Sequence, residues 1–209
     1  METKRFDIIT ETDARMLEPG STVRLSPRGH VTPLAQDTLR SRRVTVVFED
    51  GRALEPSLSQ GRLQRIAIGS DHVGFDMKAA LVPWLRARGL AVEDVGIAEK
   101  VPADYPDIAA AAAQRVARGE ADAGIVIDGA GIGSAIAANK VAGIRAAMCT
   151  NETLARYSRE HNAANVLTLG STLITIEEAK PIISRFLESS MREPRYMARV
   201  EKIARLERG

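Results

Sequence analysis

The sequence predicts an α/β protein: a Rossmann-like, doubly wound sheet of five parallel strands, with a small N-terminal α+β extension. From Ile66 onward, short apolar runs alternate with longer segments of helical period, strand then helix, repeated. Strands separated by a helix-length segment pair in parallel, because each return crossing needs that segment. Length agrees: 209 residues at 44% apolar content suffice for one full domain with a conventional core and a small appendage.

Residues 1–50 are read as the extension. Thr10 with Asp13 caps a short helix over 11–18, Thr32 and Pro33 open another, and VTVVFED (44–50) has strand composition. His30 is read as lying in a polar turn. DGRALEPSLSQGRLQ carries glycine, proline and serine and reads as a linker, assigned to 51–64. The principal domain is 65–209. Its strands are expected at 66–71, 91–96, 123–128, 145–150 and 165–170, and its helices at 75–88, 106–118, 132–140, 152–160 and 176–189. In the first helix Phe75, Ala79, Val82 and Leu85 form one stripe, and Gly89 stands where a C-terminal cap belongs. Trp84 reads as core packing and Pro106 as a first-turn residue. A basic helix, 194–208, ends the chain.

Composition narrows the function. Twenty-nine basic against 27 acidic residues leave a charge of +2, too small and dispersed for nucleic-acid binding. The one cysteine, Cys149, permits no internal disulfide and reads as a small buried residue. His30, His72 and His161 are far apart and show no metal-ligand spacing, so no metal is expected. The N-terminus lacks an apolar targeting core, and no apolar run approaches the roughly 20 residues that span a bilayer. The expectation is a cytoplasmic protein with no membrane partner.

In an open parallel sheet, ligands bind beyond the carboxyl ends of the strands. Ser70-Asp71-His72, the stretch from Asp128 to Ser134, and Arg159-Glu160-His161-Asn162 are read as delivering ionisable groups to one such rim. The glycines of DGAGIGS let backbone amides approach a developing charge. Their GxGxG spacing follows the third strand, whereas the dinucleotide fingerprint follows the first, so no nicotinamide or flavin cofactor is expected.

The motifs IAIGSDHVGFDMK, DYPDIA, GEADAGIVIDGAGIGSAIAANKVAGIRAA, SREHNAANVLTLGS and PRYMARVEKI occur in that order. The stretch they span, about 145 residues from Arg65, resembles ribose-5-phosphate isomerase B and the galactose-6-phosphate isomerase subunits. The resemblance implies metal-independent aldose–ketose isomerisation of a sugar phosphate, by default ribose 5-phosphate to ribulose 5-phosphate, through a cis-enediol. It also implies dimers whose sites lie between subunits. On this resemblance Arg195 and Arg199 anchor the phosphate, and their i, i+4 spacing puts both guanidinium groups on one helix face. His161 opens the sugar ring, with Asn162 beside it as a hydroxyl ligand. Asp71 and His72 contact hydroxyls and phosphate, and Tyr105 lies near the substrate. Gly129, Gly131 and Gly133, with Ser134, line the enediolate, their amides stabilising its oxygen.

The proton-abstracting position departs from the pattern. Relatives commonly carry a cysteine where this chain has Asp128, and a second branch uses a glutamate where it has Ser134. Ala130 replaces a hydroxyl residue, and Thr172 stands where an arginine often follows GS. Aspartate before the glycine turn and serine after it resemble the A-type galactose-6-phosphate isomerase subunit, which works beside a cysteine-bearing partner. Asp128 is therefore either the base itself, the reading adopted, or a cap in a partner-dependent or non-catalytic sugar-phosphate-binding subunit.

The first 50 residues lie outside that pattern. Their ITE start, proline- and glycine-bearing turn, helix start at Thr32-Pro33 and SRR before a strand resemble the opening of the ethanolamine-utilisation cobalamin adenosyltransferase. Such segments are associated with bacterial microcompartments. The resemblance implies an appendage that docks to a shell or neighbouring enzyme, and the alternative is an oligomerisation or stability extension.

Overall fold

In the computed structural model, which describes residues 5–32, 35, 38–39, 42–50, 63–191 and 193–207, the chain divides into two units, Met1–Gly61 and Arg62–Gly209. No helix among the described residues is long and apolar enough to cross a membrane.

The smaller unit contains β1 (Arg5–Ile9), α1 (Glu11–Met16), β2 (Thr22–Val31) and β3 (Thr45–Phe48), with the strands in the order β1-β2-β3 and all parallel. The expected cap is present: the Thr10 hydroxyl accepts from the Asp13 amide, and the Asp13 carboxylate accepts from the Thr10 amide at 2.9 Å. The helix ends at Met16, two residues before the expected end. Two strands were not foreseen. Phe6 pairs with Leu25 but Ile8 pairs with His30, so residues 26–29 of β2 loop out and break the alternation that marks a strand. His30 accordingly lies in β2, a correction to its reading as a turn residue. Ile9, Ala14, Val23, Leu25 and Leu39 are among the residues of this unit's own core. Thr32 Oγ1 accepts from the Ala35 amide, and Ala35, Thr38 and Leu39 are helical; the remainder of the second expected helix lies outside the described residues. So does the expected linker, apart from Leu63 and Gln64. Leu63 packs on the core of the larger unit.

The larger unit runs β4 (Arg65–Ser70), α2 (Phe75–Ala87), β5 (Ala91–Asp94), α3 (Tyr105–Ala117), β6 (Ala123–Asp128), α4 (Ile132–Ala138), β7 (Ala146–Met148), α5 (Glu152–Asn162), β8 (Val166–Gly170), α6 (Ile176–Glu188) and α7 (Pro194–Leu206). Its five strands are parallel in the order β5-β4-β6-β8-β7. β6 and β8 are buried along their whole length, which is why they read as continuous apolar runs. Alternate residues feed opposite faces. Ile68, Ile125, Ile127 and Leu167 pack with Leu81 of α2 and Phe186 of α6, whereas Ala67, Val126 and Val166 pack with the alanines of α3. Strand order reverses between β4 and β6, so the crevice of the fold opens beyond Ser70 and Asp128.

Beside β4 a buried cation fixes the loop after β5. Lys78 is 2% exposed, and its Nζ reaches Asp94 Oδ2 at 2.7 Å and the Ile97 carbonyl at 2.6 Å. Its partner is different in kind, since the Asp94 side chain is 36% exposed and water can reach it. Asp94→Ala, which strands a buried ammonium, is expected to cost about 3–5 kcal/mol in urea unfolding. Lys78→Met leaves a carboxylate that water hydrates and should cost clearly less. Equal losses would show that the pair does not work this way.

Candidate active site

Asp128 ends β6 and is 5% exposed. Its Oδ1 accepts from the amides of Ala130, at 2.8 Å, and Gly131; its Oδ2 accepts from the Ser134 amide, at 3.1 Å, and the Ser134 hydroxyl. Those four donors match the roughly four lone-pair sites of a carboxylate. The turn that permits this needs Gly131: its φ is 77°, and a Cβ there would meet Met148, Leu169 and Gly170 at about 3 Å.

This geometry divides the expected glycine contacts. The Gly131 amide and the fully buried Ser134 turn inward to the carboxylate. The amides of Gly129 and Gly133 have no protein acceptor among the described residues, and both glycines are partly exposed at the rim. Tyr105 lies over that opening, since a Cβ on Gly133 would stand 2.6 Å from its ring. Thr172 Oγ1 donates to the Gly129 carbonyl at 2.7 Å and holds the turn from the β8 side.

Across the crevice Asp71 Oδ1 accepts from the amides of Val73, at 2.9 Å, and Gly74, at 3.0 Å. Gly74 permits the approach, because a Cβ there would lie 2.4 Å from the Ile127 carbonyl oxygen of β6. His72 Nδ1 accepts from the Ala103 amide at 3.4 Å. Asp71, His72, Tyr105 and Asp128 thus lie around one crevice at the carboxyl ends of the strands.

A second cluster surrounds a cavity of about 550 Å³ lined by His161, Arg195 and Tyr196 among others. The His161 ring lies between Tyr157, with centroids 4.6 Å apart, and Tyr196, at 4.3 Å. The guanidinium carbons of Arg195 and Arg199 stand 4.8 and 5.6 Å from the Tyr196 ring. Asn162 Nδ2 donates to the Tyr157 carbonyl at 3.2 Å. Sequence reasoning did not single out the two tyrosines. It missed Arg145 and read Arg159 only as one of the ionisable groups at a rim; the two hold this corner by donating to the carbonyls of Ala163 and Ala164, respectively. Burial, with the Arg145 charge adding to it, brings the Arg159 guanidinium down to about 10.

The two clusters do not share a rim, a correction to the expectation that they would. A helix that follows a strand runs back antiparallel to it, so its C-terminus reaches the opposite edge. α5 continues through His161 and Asn162, beyond its expected end at 160, and stops at Ala163 with φ of 47°. Just beyond, the Asn165 carbonyl accepts from the amide of Gly124, at the start of β6. Asp128 is at the other end of that six-residue strand. At about 3.3 Å per residue, the sheet alone separates the clusters by roughly 16–20 Å.

Cys149, 1% exposed, is no substitute for the cysteine of the resemblance, since burial pushes its thiol up to about 11. Between pH 9 and 11 the unfolded chain loses this proton while the folded chain keeps it, so stability fully present below pH 9 declines across that window. Over it, the wild type should lose about 2–3 kcal/mol more than Cys149→Val in urea unfolding. Parallel losses in the two proteins would contradict this. Among the described residues no group of three or more His, Cys, Asp or Glu side chains is arranged to hold a metal ion.

Comparison with known proteins gives this geometry a context. The model of the ribose/galactose isomerase family matches residues 66–203. Ribose-5-phosphate isomerase B of Escherichia coli K12 is 44% identical over 145 residues, covering 69% of this chain and 97% of that protein. A galactose-6-phosphate isomerase subunit of Clostridium acetobutylicum is 41% identical over 124 residues, 59% of this chain and 72% of its own length. Among solved structures, the Clostridium thermocellum ribose-5-phosphate isomerase B superposes with a TM-score of 0.68 at 45% identity, covering 69% of this chain and 98% of that one. The Mycoplasma genitalium ribose-5-phosphate isomerase B, solved with bound ribulose-5-phosphate, gives 0.66 at 37%, covering 69% and 96%. By the extent of these matches, and by a five-stranded parallel sheet with its crevice between β4 and β6, the chain belongs to the ribose/galactose isomerase family.

Proposed function

We propose that this chain is an aldose–ketose isomerase that interconverts ribose 5-phosphate and ribulose 5-phosphate. The observation that carries the reading is the crevice beyond β4 and β6, where a buried carboxylate and two unpartnered glycine amides meet, in a chain 44% identical to a ribose-5-phosphate isomerase B. In the open-chain aldose, Asp128 takes the C2 proton and the released electron pair forms C1=C2. Charge moves to O1, which the Gly129 and Gly133 amides stabilise before it is protonated. The O2 proton then leaves, C2 becomes the carbonyl, and C1 receives a proton to give the ketose. Asp71, His72 and Tyr105 hold the hydroxyls. His161, with Asn162, opens the furanose, and Arg195 with Arg199 anchors the phosphate.

A single chain presents these groups at opposite edges of its sheet, so the proposed site combines the carboxyl rim of one copy with the amino edge of a second. Asp128 must also give up a hydrogen bond before it accepts a proton, and the Ser134 hydroxyl, a rotor, is the donor that turns away. The same saturation favours a second reading, in which Asp128 is a cap and turnover depends on a partner subunit. Assay of the purified chain on ribose 5-phosphate distinguishes them. Conversion to ribulose 5-phosphate supports the first, and absence of turnover on any pentose or hexose phosphate removes it.

For residues 1–50 the proposed role is docking within a bacterial microcompartment, resting on the resemblance of that segment alone. Removal of residues 1–60 with assembly and co-localisation unchanged would dismiss it.

A further inference from the structure

We infer that Tyr157 and Tyr196 are positioning residues that clamp the His161 ring for opening a furanose 5-phosphate, an inference that rests on the isomerase reading above. A histidine that moves protons is ordinarily oriented by a hydrogen bond at one ring nitrogen, which leaves only the other for chemistry. His161 has no such bond among the described residues, and its ring is held by its faces instead. Tyr157, one helical turn earlier on α5, stacks on it at 4.6 Å with the planes 17° apart. Tyr196, from α7, lies at 4.3 Å and 34°, and since two phenol rings cannot both stack on one face of an imidazole at these distances, it takes the other face. Contact on both faces fixes the ring plane and leaves both nitrogen edges open.

That arrangement suits ring opening. The reaction removes the proton from O1, breaks C1–O4, forms the C1 carbonyl and delivers a proton to O4. One imidazole with both edges free serves the two oxygens if its plane does not swing. Tyr196 also ties the ring to the phosphate anchor. Arg195 Nη2 lies 3.1 Å from its hydroxyl, and the guanidinium carbons of Arg195 and Arg199 lie 4.8 and 5.6 Å from its ring. The tyrosine therefore sets the spacing between the proton-moving group and the 5-phosphate. Among the described residues no ring contact or hydrogen bond joins Tyr157 to either arginine of that anchor, so it isolates the clamp.

Ribulose 5-phosphate separates ring opening from enolisation, because phosphorylation of its C5 oxygen prevents furanose closure. Exchange of its C1 proton with solvent deuterium needs the base but no ring opening; conversion of ribose 5-phosphate needs both. Tyr157→Leu should exchange deuterium at the wild-type rate while conversion slows on the order of 10- to 100-fold, and Tyr157→Phe should restore conversion. In NMR of the full chain, the upfield ring-current shift of the His161 ring protons should be reduced in the leucine variant, where Tyr196 alone remains, and kept in the phenylalanine variant. Exchange and conversion falling together, or conversion unchanged with the ring-current shift reduced, overturns the clamp. If the wild type neither exchanges nor converts while its His161 shift is upfield, the isomerase reading is what fails and the clamp's role in opening falls with it.

Discussion

Asp128→Asn should lower kcat for ribose 5-phosphate conversion by about 10²- to 10⁴-fold, the usual contribution of a positioned proton acceptor. The amide cannot take the C2 proton, and its nitrogen would face donors that the carboxylate now satisfies from Ala130, Gly131 and Ser134. Loss of the turn would also lower the rate, so Asp128→Cys is needed beside it. The thiol is a poorer acceptor for those donors but restores a titratable group at the end of β6. If Asp128 is the base, the wild type turns over and the cysteine variant keeps part of that activity. A silent wild type beside an active Asp128→Cys would mean that the aspartate is a cap and that the partner-dependent reading stands.

Two variants that are each inactive should complement one another when mixed. Asp128→Asn is expected to disable the carboxyl rim, and Arg195→Ala the amino edge. If every site takes one edge from each of two copies, a mixed dimer holds one doubly altered site and one intact site. Random exchange of equal amounts then restores roughly a quarter of wild-type activity, half the dimers being mixed and half their sites intact. Activity that stays near zero after verified subunit exchange would show that both halves belong to one chain. Arg195 and the Asp128 turn lie towards opposite ends of the strands, so the two substitutions are far enough apart for their effects to be independent within one copy.

The strands of the larger unit were legible because both sheet faces are covered, which makes β6 and β8 uninterrupted apolar runs between helical segments. Asp128 stood out for the same reason, as a carboxylate closing such a run. In the smaller sheet β2 was hidden by residues 26–29, whose excursion removes its period of 2. The position of His161 was misjudged because a motif carries no direction; only the return of α5 along the sheet shows which edge it reaches. Tyr157 was recoverable from its spacing of four to His161, whereas Tyr196 arrives from a separate helix, and no local pattern joins them. The inward turn of Gly131 and Ser134 depends on where amides point, which spacing does not encode.

Placing the two clusters at opposite ends of one strand layer lets them evolve separately. After a gene duplication, one copy could lose the proton acceptor at its crevice and still lend its arginines to a sister chain, because neither function shares side chains with the other. Mixed assemblies with a division of labour between paralogues are therefore a short step from this architecture, and the crevice carboxylate, Asp128, is the position at which that step would begin.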